Sequence, residues 1–280
     1  MALTESNIQR RSADELAFKL RLERPLIIKF RRLFRDIGRD LAIVYGATGQ
    51  VQSANVYRSE VEGLLKPIYR QAGRKVGSLT RDNIKSVFVD WETKQEPAVD
   101  REVIDFVNGQ PVIRARHITG TNQTELGGAV MSVVIAAGLA GETLNNEEIG
   151  KRAAKVFTEK QMHRADVIAM TEVQNAVEGS KFVELSALVA LGVTVGAVSL
   201  TTAVEREWVA VLDTKTRASH VVADGQRRGL RPFDVGVDKL NFPGDTSLGA
   251  SLANIINCRC GAHSIVNGSP SAEQIDSRVR

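Results

Sequence analysis

Cys258 and Cys260, one residue apart, are the only cysteines in the chain, and four histidines complete its set of soft donors. Zinc takes thiolates and imidazoles in a tetrahedral array, so Cys258, Cys260, His220 and His263 form a candidate ligand set. The Cys-x-Cys bite is tighter than the usual spacer of two to four residues. A Cys–His nucleophile is the other chemistry these residue types allow, but their spacing supplies no third group to orient the imidazole. His117 and His163 stand alone among Arg and Gln and read as surface or satisfied core histidines. The chain has no G-x-x-x-x-G-K-[ST] loop and no nuclease-like cluster of carboxylates, so no cofactor is expected, with zinc held open as the one candidate.

Turn-forming residues surround these donors. Asp213 and Arg217, four apart and followed by His220, converge if the segment makes one turn, and such a pair can be bidentate. His220 would then donate to Asp224 or Glu172. Asp224-Gly225 reads as a turn. In Phe242-Pro243-Gly244-Asp245, proline sets one backbone angle, glycine permits positive φ, and Asp245 can accept backbone N–H groups. Asn257 can bond the neighbouring backbone at a tight corner before the cysteines. All of these roles also suit a small irregular α+β domain in which the residues serve structure alone.

The elements that must position these groups are mainly helical. Ser12 and Glu15 have capping-box spacing at the head of an amphipathic stretch over 12–42, which Pro25 should break or kink. Beyond Pro25, Leu26, Phe30, Leu33, Phe34 and Ile37 form an apolar stripe beside Arg31, Arg32, Arg35 and Arg39. Helices are expected over 54–73, interrupted near Pro67, and over a short capped stretch from 79. A helix, an Asn-Gly turn and then a strand or loop are expected over 96–117. Asn145 and Glu148 form a second capping box, opening a helix through about Gln161. In the helix that follows, Ala165, Ile168, Ala169, Glu172, Val173 and Ala176 share one side. Residues 185–204 are uncharged throughout and long enough to span a bilayer, yet their Thr, Ser, Gly and Val suit a buried helix end running into strands. A strand follows at 208–212, then short strands separated by Gly, Pro and Asp.

Residues 1–80 carry 15 Lys and Arg against 8 Asp and Glu, and the rest 22 against 25, so the basic end is the one expected to meet phosphate or an acidic surface. A disulfide framework is excluded by the cysteine count, and the N-terminus lacks an apolar signal segment, so synthesis in a reducing cytoplasm is expected.

Arg164 to Glu172 (RADVIAMTE), Trp208, Asp213 to His220 (DTKTRASH), Asp224-Gly225-Gln226, FDVG at 233–236, FPGD at 242–245 and INCRC at 256–260 follow one another in an order that resembles the Mu F-like minor head proteins of tailed bacteriophages, the head morphogenesis family. The resemblance covers residues 118–263, and its ordered set is more specific than any piece. It implies a Mu F-like α+β domain with short antiparallel strands (111–263), which joins the basic, mainly helical N-terminal region (1–110) and the flexible tail (264–280) expected from the residues themselves. It further implies a structural, non-enzymatic protein of the capsid interior, assembled in the host cytoplasm. Its expected partners are the portal protein, the major capsid protein and, without sequence preference, packaged DNA. The run at 185–204 departs from the family by being longer and more apolar. A membrane-active ejection protein that inserts this run is the alternative. An ADP-ribosyltransferase-like enzyme is a further one, though residues 261–280 leave no room for an appended toxin.

Overall fold

The computed structural model describes residues 5–85, 96–192, 194, 195 and 198–266. It is mostly helical, with a few short antiparallel strands in small sheets. Two compact units are present, each assembled from separated stretches: residues 1–22, 68–108 and 170–280 in one, and 23–67 and 109–169 in the other.

Three long helices supply most of the chain: α1 (Glu5–Thr48), α4 (Glu96–Ala140) and α5 (Asn146–Ala190). Helix α2 (Arg58–Ala72) follows a short 3-10 turn at Ala54–Tyr57, and α3 (Ser78–Lys85) follows a π-turn at Gly73–Gly77. Several local signals are overridden within them. Pro25 does not end α1, Pro67 lies inside α2, and Asn108-Gly109 and Pro111 lie inside α4. A proline inside a helix costs about 3 kcal/mol. Burying one Leu, Ile or Phe side chain contributes about 1.5–3 kcal/mol, and α1 buries Leu22, Leu26, Phe30, Leu33, Phe34, Ile37 and Leu41 at unbroken helical spacing. In α4 the buried positions Val99, Val103, Val107, Pro111, Ala115 and Ile118 run straight through the expected turn. The boundary expected at residue 110 therefore falls in mid-helix. Ser12 likewise lies inside α1, so it is not an N-cap.

In the unit made of 23–67 and 109–169, α1 and α5 run antiparallel. Phe34 meets Phe157 edge-on at 6.4 Å, and Arg31 pairs with Asp166 at 2.8 Å. A Cβ on Gly150 would lie 2.9 Å from the Ala42 carbonyl, so glycine there lets the two backbones approach. Helix α4 reverses into α5 through Gly141 (φ 69), where Glu142 N–H donates to Ala137 O and Gly141 N–H to Gly138 O, a Schellman ending. The expected capping box then opens α5: Asn145 Oδ1 accepts from Glu148 N–H (2.9 Å) and Glu148 Oε2 from Asn145 N–H (3.0 Å). The helix continues past Gln161 and His163 to Ala190.

In the other unit, the uncharged run at 185–204 divides as a buried helix end leading into strands. It comprises the end of α5, β1 (Thr194–Val195), β2 (Val198–Ser199), α6 (Leu200–Ala203) and the first residue of β3 (Val204–Val209). Residues 193, 196 and 197 lie outside the described set. Strand β3 starts four residues before the expected strand and is central in an antiparallel sheet, between β4 (Arg227–Arg228) and β7 (Gly261–Val266). Strands β5 (Phe233–Val235) and β6 (Asp238–Leu240) form a hairpin. Two single-turn helices, α7 (Ala218–Ala223) and α8 (Leu252–Ile255), complete the layer. Because β7 pairs as far as Val266 with Val204, the expected tail cannot begin at 264; residues 267–280 lie outside the described set.

Candidate functional site

One face of α5 organises the C-terminal segments through polar side chains at helical spacing. Thr171 Oγ1 accepts from Asn257 N–H (3.2 Å), and Gln174 Nε2 donates to Cys260 O (2.6 Å). Asn175 Nδ2 donates to Gly244 O (2.9 Å), and Glu178 Oε2 accepts from Ala262 N–H (3.0 Å). Residues at i, i+3, i+4 and i+7 share a helix face, so TEVQNAVE is a single docking strip. Glu172 belongs to the same helix but pairs elsewhere: the Tyr69 hydroxyl lies 3.0 Å from its Oε2 and 2.9 Å from Asn175 Oδ1.

On this strip the turn residues take defined places. Phe242 O accepts from Asp245 N–H across Pro243 and Gly244, and Gly244 has φ 89, so the four make a type II turn with proline and glycine at their favoured positions. Asp245 accepts backbone N–H groups as expected, from Asn241 and Ser247 at 2.8 Å each. Asp224 also takes a backbone donor, Ala210 N–H at 2.7 Å, and Gly225 turns the chain at φ 74.

Two expected pairings are replaced. Asp213 is held by Arg259, a bidentate contact of 2.6 and 2.7 Å, and this guanidinium pulls its carboxyl well below the usual range. Arg217 instead donates to Ile256 O. His220 reaches neither Asp224 nor Glu172; its Nδ1 faces Cys260 Sγ at 3.3 Å and Cys258 Sγ at 3.7 Å. Asn257 turns the corner with φ 55, yet its Oδ1 is buried without a partner.

His220, Cys258 and Cys260 are all buried, and their ligand atoms lie within 4.8 Å of one another. The Trp208 ring stands edge-on to the imidazole at 5.6 Å and packs with Phe233, Leu240 and both cysteines in one apolar cluster. Both thiols are free. Hydrogen bonding from the Cys258 thiol, opposed by burial and reinforced by His220, pulls Cys260 down to about 5. The same hydrogen bond, together with burial, pushes Cys258 well up. A cavity of about 10 Å³, room for a single water, adjoins the cluster and is lined by His220, Cys260, Asn257, Lys215, Arg217 and Arg259. His263 is placed elsewhere, opposite Glu207 on β7, where burial first and then Lys181 push its imidazole down. The four-ligand set expected from sequence thus reduces to three.

No family model, curated protein or solved structure matches this chain.

The remaining candidates lie in the other unit. Arg164 donates to Asn122 Oδ1 and to Gln161 Oε1 (2.8 Å) and lies over the Phe34 ring, so it is a packing residue there. Of the four expected phosphate-facing arginines, Arg31 is paired to Asp166 and Arg39 to Asp36 (3.1 Å), while Arg32 and Arg35 are exposed.

Two structural centres have little sequence signal. Arg206, buried on β3, donates from Nε to Gly229 O (2.8 Å), from Nη2 to Arg231 O (2.8 Å) and from Nη1 to Asn241 O, between the Phe182 and Phe233 rings. Glu178 accepts from Lys19 (2.9 Å) and Lys181 (3.1 Å) as well as from Ala262. Strand alternation alone would have flagged Arg206 as an inward-facing charge.

Proposed function

We propose that the chain is a structural minor head protein of a tailed phage, bound near the portal inside the capsid and assisting head assembly and DNA packaging or ejection. The observation that carries this reading is the docking of two of the ordered segments, the turn at Gly244 and the corner at Asn257 and Cys260, on one strip of α5. Glu172, Trp208, His220, Asp224, Gly244, Asp245, Asn257, Cys258 and Cys260 all lie in the unit organised by that helix. Most of their polar groups engage backbone or one another, and the adjoining cavity holds no more than a water. Such use of side chains fits an adaptor whose shape is its product, rather than an enzyme that must admit a substrate. Exposed Arg32 and Arg35 supply the surface for DNA or an acidic partner, in salt-dependent contacts without sequence preference.

A density map of the intact particle is the direct test. Density for this chain against the portal supports the reading; its absence from purified particles overturns it.

One observation favours membrane contact as a second reading, through a different segment from that expected. Among the described residues, Pro97–Ala140 is the one helix long and apolar enough to cross a bilayer, and 28% of its apolar window is buried. Liposome flotation separates the two readings, because an adaptor stays in the dense fraction.

A further inference from the structure

We propose that His220 Nδ1, Cys258 Sγ and Cys260 Sγ form a zinc-binding centre whose fourth coordination position opens on the adjoining cavity. Zinc–sulfur distances of about 2.3 Å and zinc–nitrogen distances of about 2.0–2.1 Å, at the tetrahedral angle, separate nitrogen from sulfur by about 3.6 Å. The observed separations are 3.3 and 3.7 Å. A hydrogen-bonded corner explains them less well: one ring nitrogen has a single hydrogen-bonding direction, and here two sulfurs converge on it. A cation between the three atoms satisfies all of them at once. Two thiolates and an imidazole are a donor set suited to zinc.

The cavity supplies a second, independent observation. Asn257 Oδ1 is a buried acceptor without a donor, and Asn257 lines the cavity together with His220 and Cys260. A water completing the zinc tetrahedron from that side fits the space and is the donor that Asn257 lacks. Among the described residues no fourth Cys, His, Asp or Glu joins the cluster, so the centre has three protein ligands and an open place, the pattern of exchangeable zinc sites. Arg217 and Arg259, pinned by Ile256 O and Asp213, line the same cavity and favour an anion as the exchanging ligand.

The test is elemental analysis and cobalt substitution of the full chain. Expected is about one equivalent of zinc per chain, falling at least about tenfold in Cys258→Ser and Cys260→Ser and unchanged in His263→Asn. Cobalt titrated into the metal-free wild-type chain should give a near-ultraviolet thiolate charge-transfer band and intense tetrahedral visible bands. Raising the pH should shift the visible bands if the fourth position holds a water, which ionises to hydroxide on the metal. A folded wild-type chain that binds no zinc and shows no cobalt–thiolate band overturns the centre. Cobalt bands that stay unmoved from pH 6 to pH 10 in the folded chain overturn the open, water-bearing position.

Discussion

Gln174 Nε2 donates to the carbonyl oxygen of Cys260 at 2.6 Å, tying the middle of α5 to the residue that closes the cysteine corner, 86 positions later. Gln174→Ala leaves that buried carbonyl without its donor. The expected cost is about 1–3 kcal/mol, read as a lower urea midpoint at unchanged slope.

Arg206 is the largest single polar commitment of the sheet. Burial, opposed by Asp245, brings its guanidinium down to about 10, still charged at neutral pH. Arg206→Met strips three carbonyls of their donor, and a loss of about 3–5 kcal/mol is expected in chemical denaturation. Arg206→Lys should recover little, because an ammonium cannot span the three oxygens as the planar fork does.

Gly244→Ala tests the type II turn. Its φ of 89 disfavours any side chain, and a Cβ would sit 3.3 Å from Gln174 Cγ. A loss of about 1–2 kcal/mol is expected from the backbone conformation, visible as a lower melting temperature.

The ion cluster around Glu178 predicts acid sensitivity. Burial alone would raise the Glu15 carboxyl, but Lys181 and Lys19 outweigh it and hold the pKa far below the usual range. A depressed carboxylate contributes stability that is present above its unfolded pKa of about 4.5 and lost as pH falls below it. His263, also depressed, adds a loss that begins below about 6.5. The urea midpoint should therefore fall between pH 7 and pH 3.5, and Glu15→Gln should flatten the part below pH 5. An equal slope in the variant would rule out this role for Glu15.

Arg32→Glu with Arg35→Glu tests the basic face without breaking an ion pair. Retention of nonspecific duplex DNA by the chain should weaken severalfold at low salt, with a shallower dependence on salt concentration. Unchanged retention would exclude these two arginines as the phosphate-facing group.

Local chemistry was the legible part of this chain. The Asn145–Glu148 capping box, the Pro243-Gly244-Asp245 turn and the apolar face of Leu26, Phe30, Leu33 and Ile37 depend on residues within a few positions of one another. The same locality misled at Asn108-Gly109, where the turn signal is strong and the helix continues. Burial along the whole length of α1 and α4 outweighs a local cost of a few kcal/mol, and burial is a property of the packed molecule.

By itself the sequence determined the helical character, the short-strand C-terminal part and the residues able to ligate a metal. Only the tertiary structure decided their partners. It set Arg259 rather than Arg217 on Asp213, brought His220 to the cysteines and left His263 beside Glu207. Those choices depend on where β3, α7 and β7 meet α5, contacts between residues 40 to 90 positions apart whose geometry is set by packing a shared core.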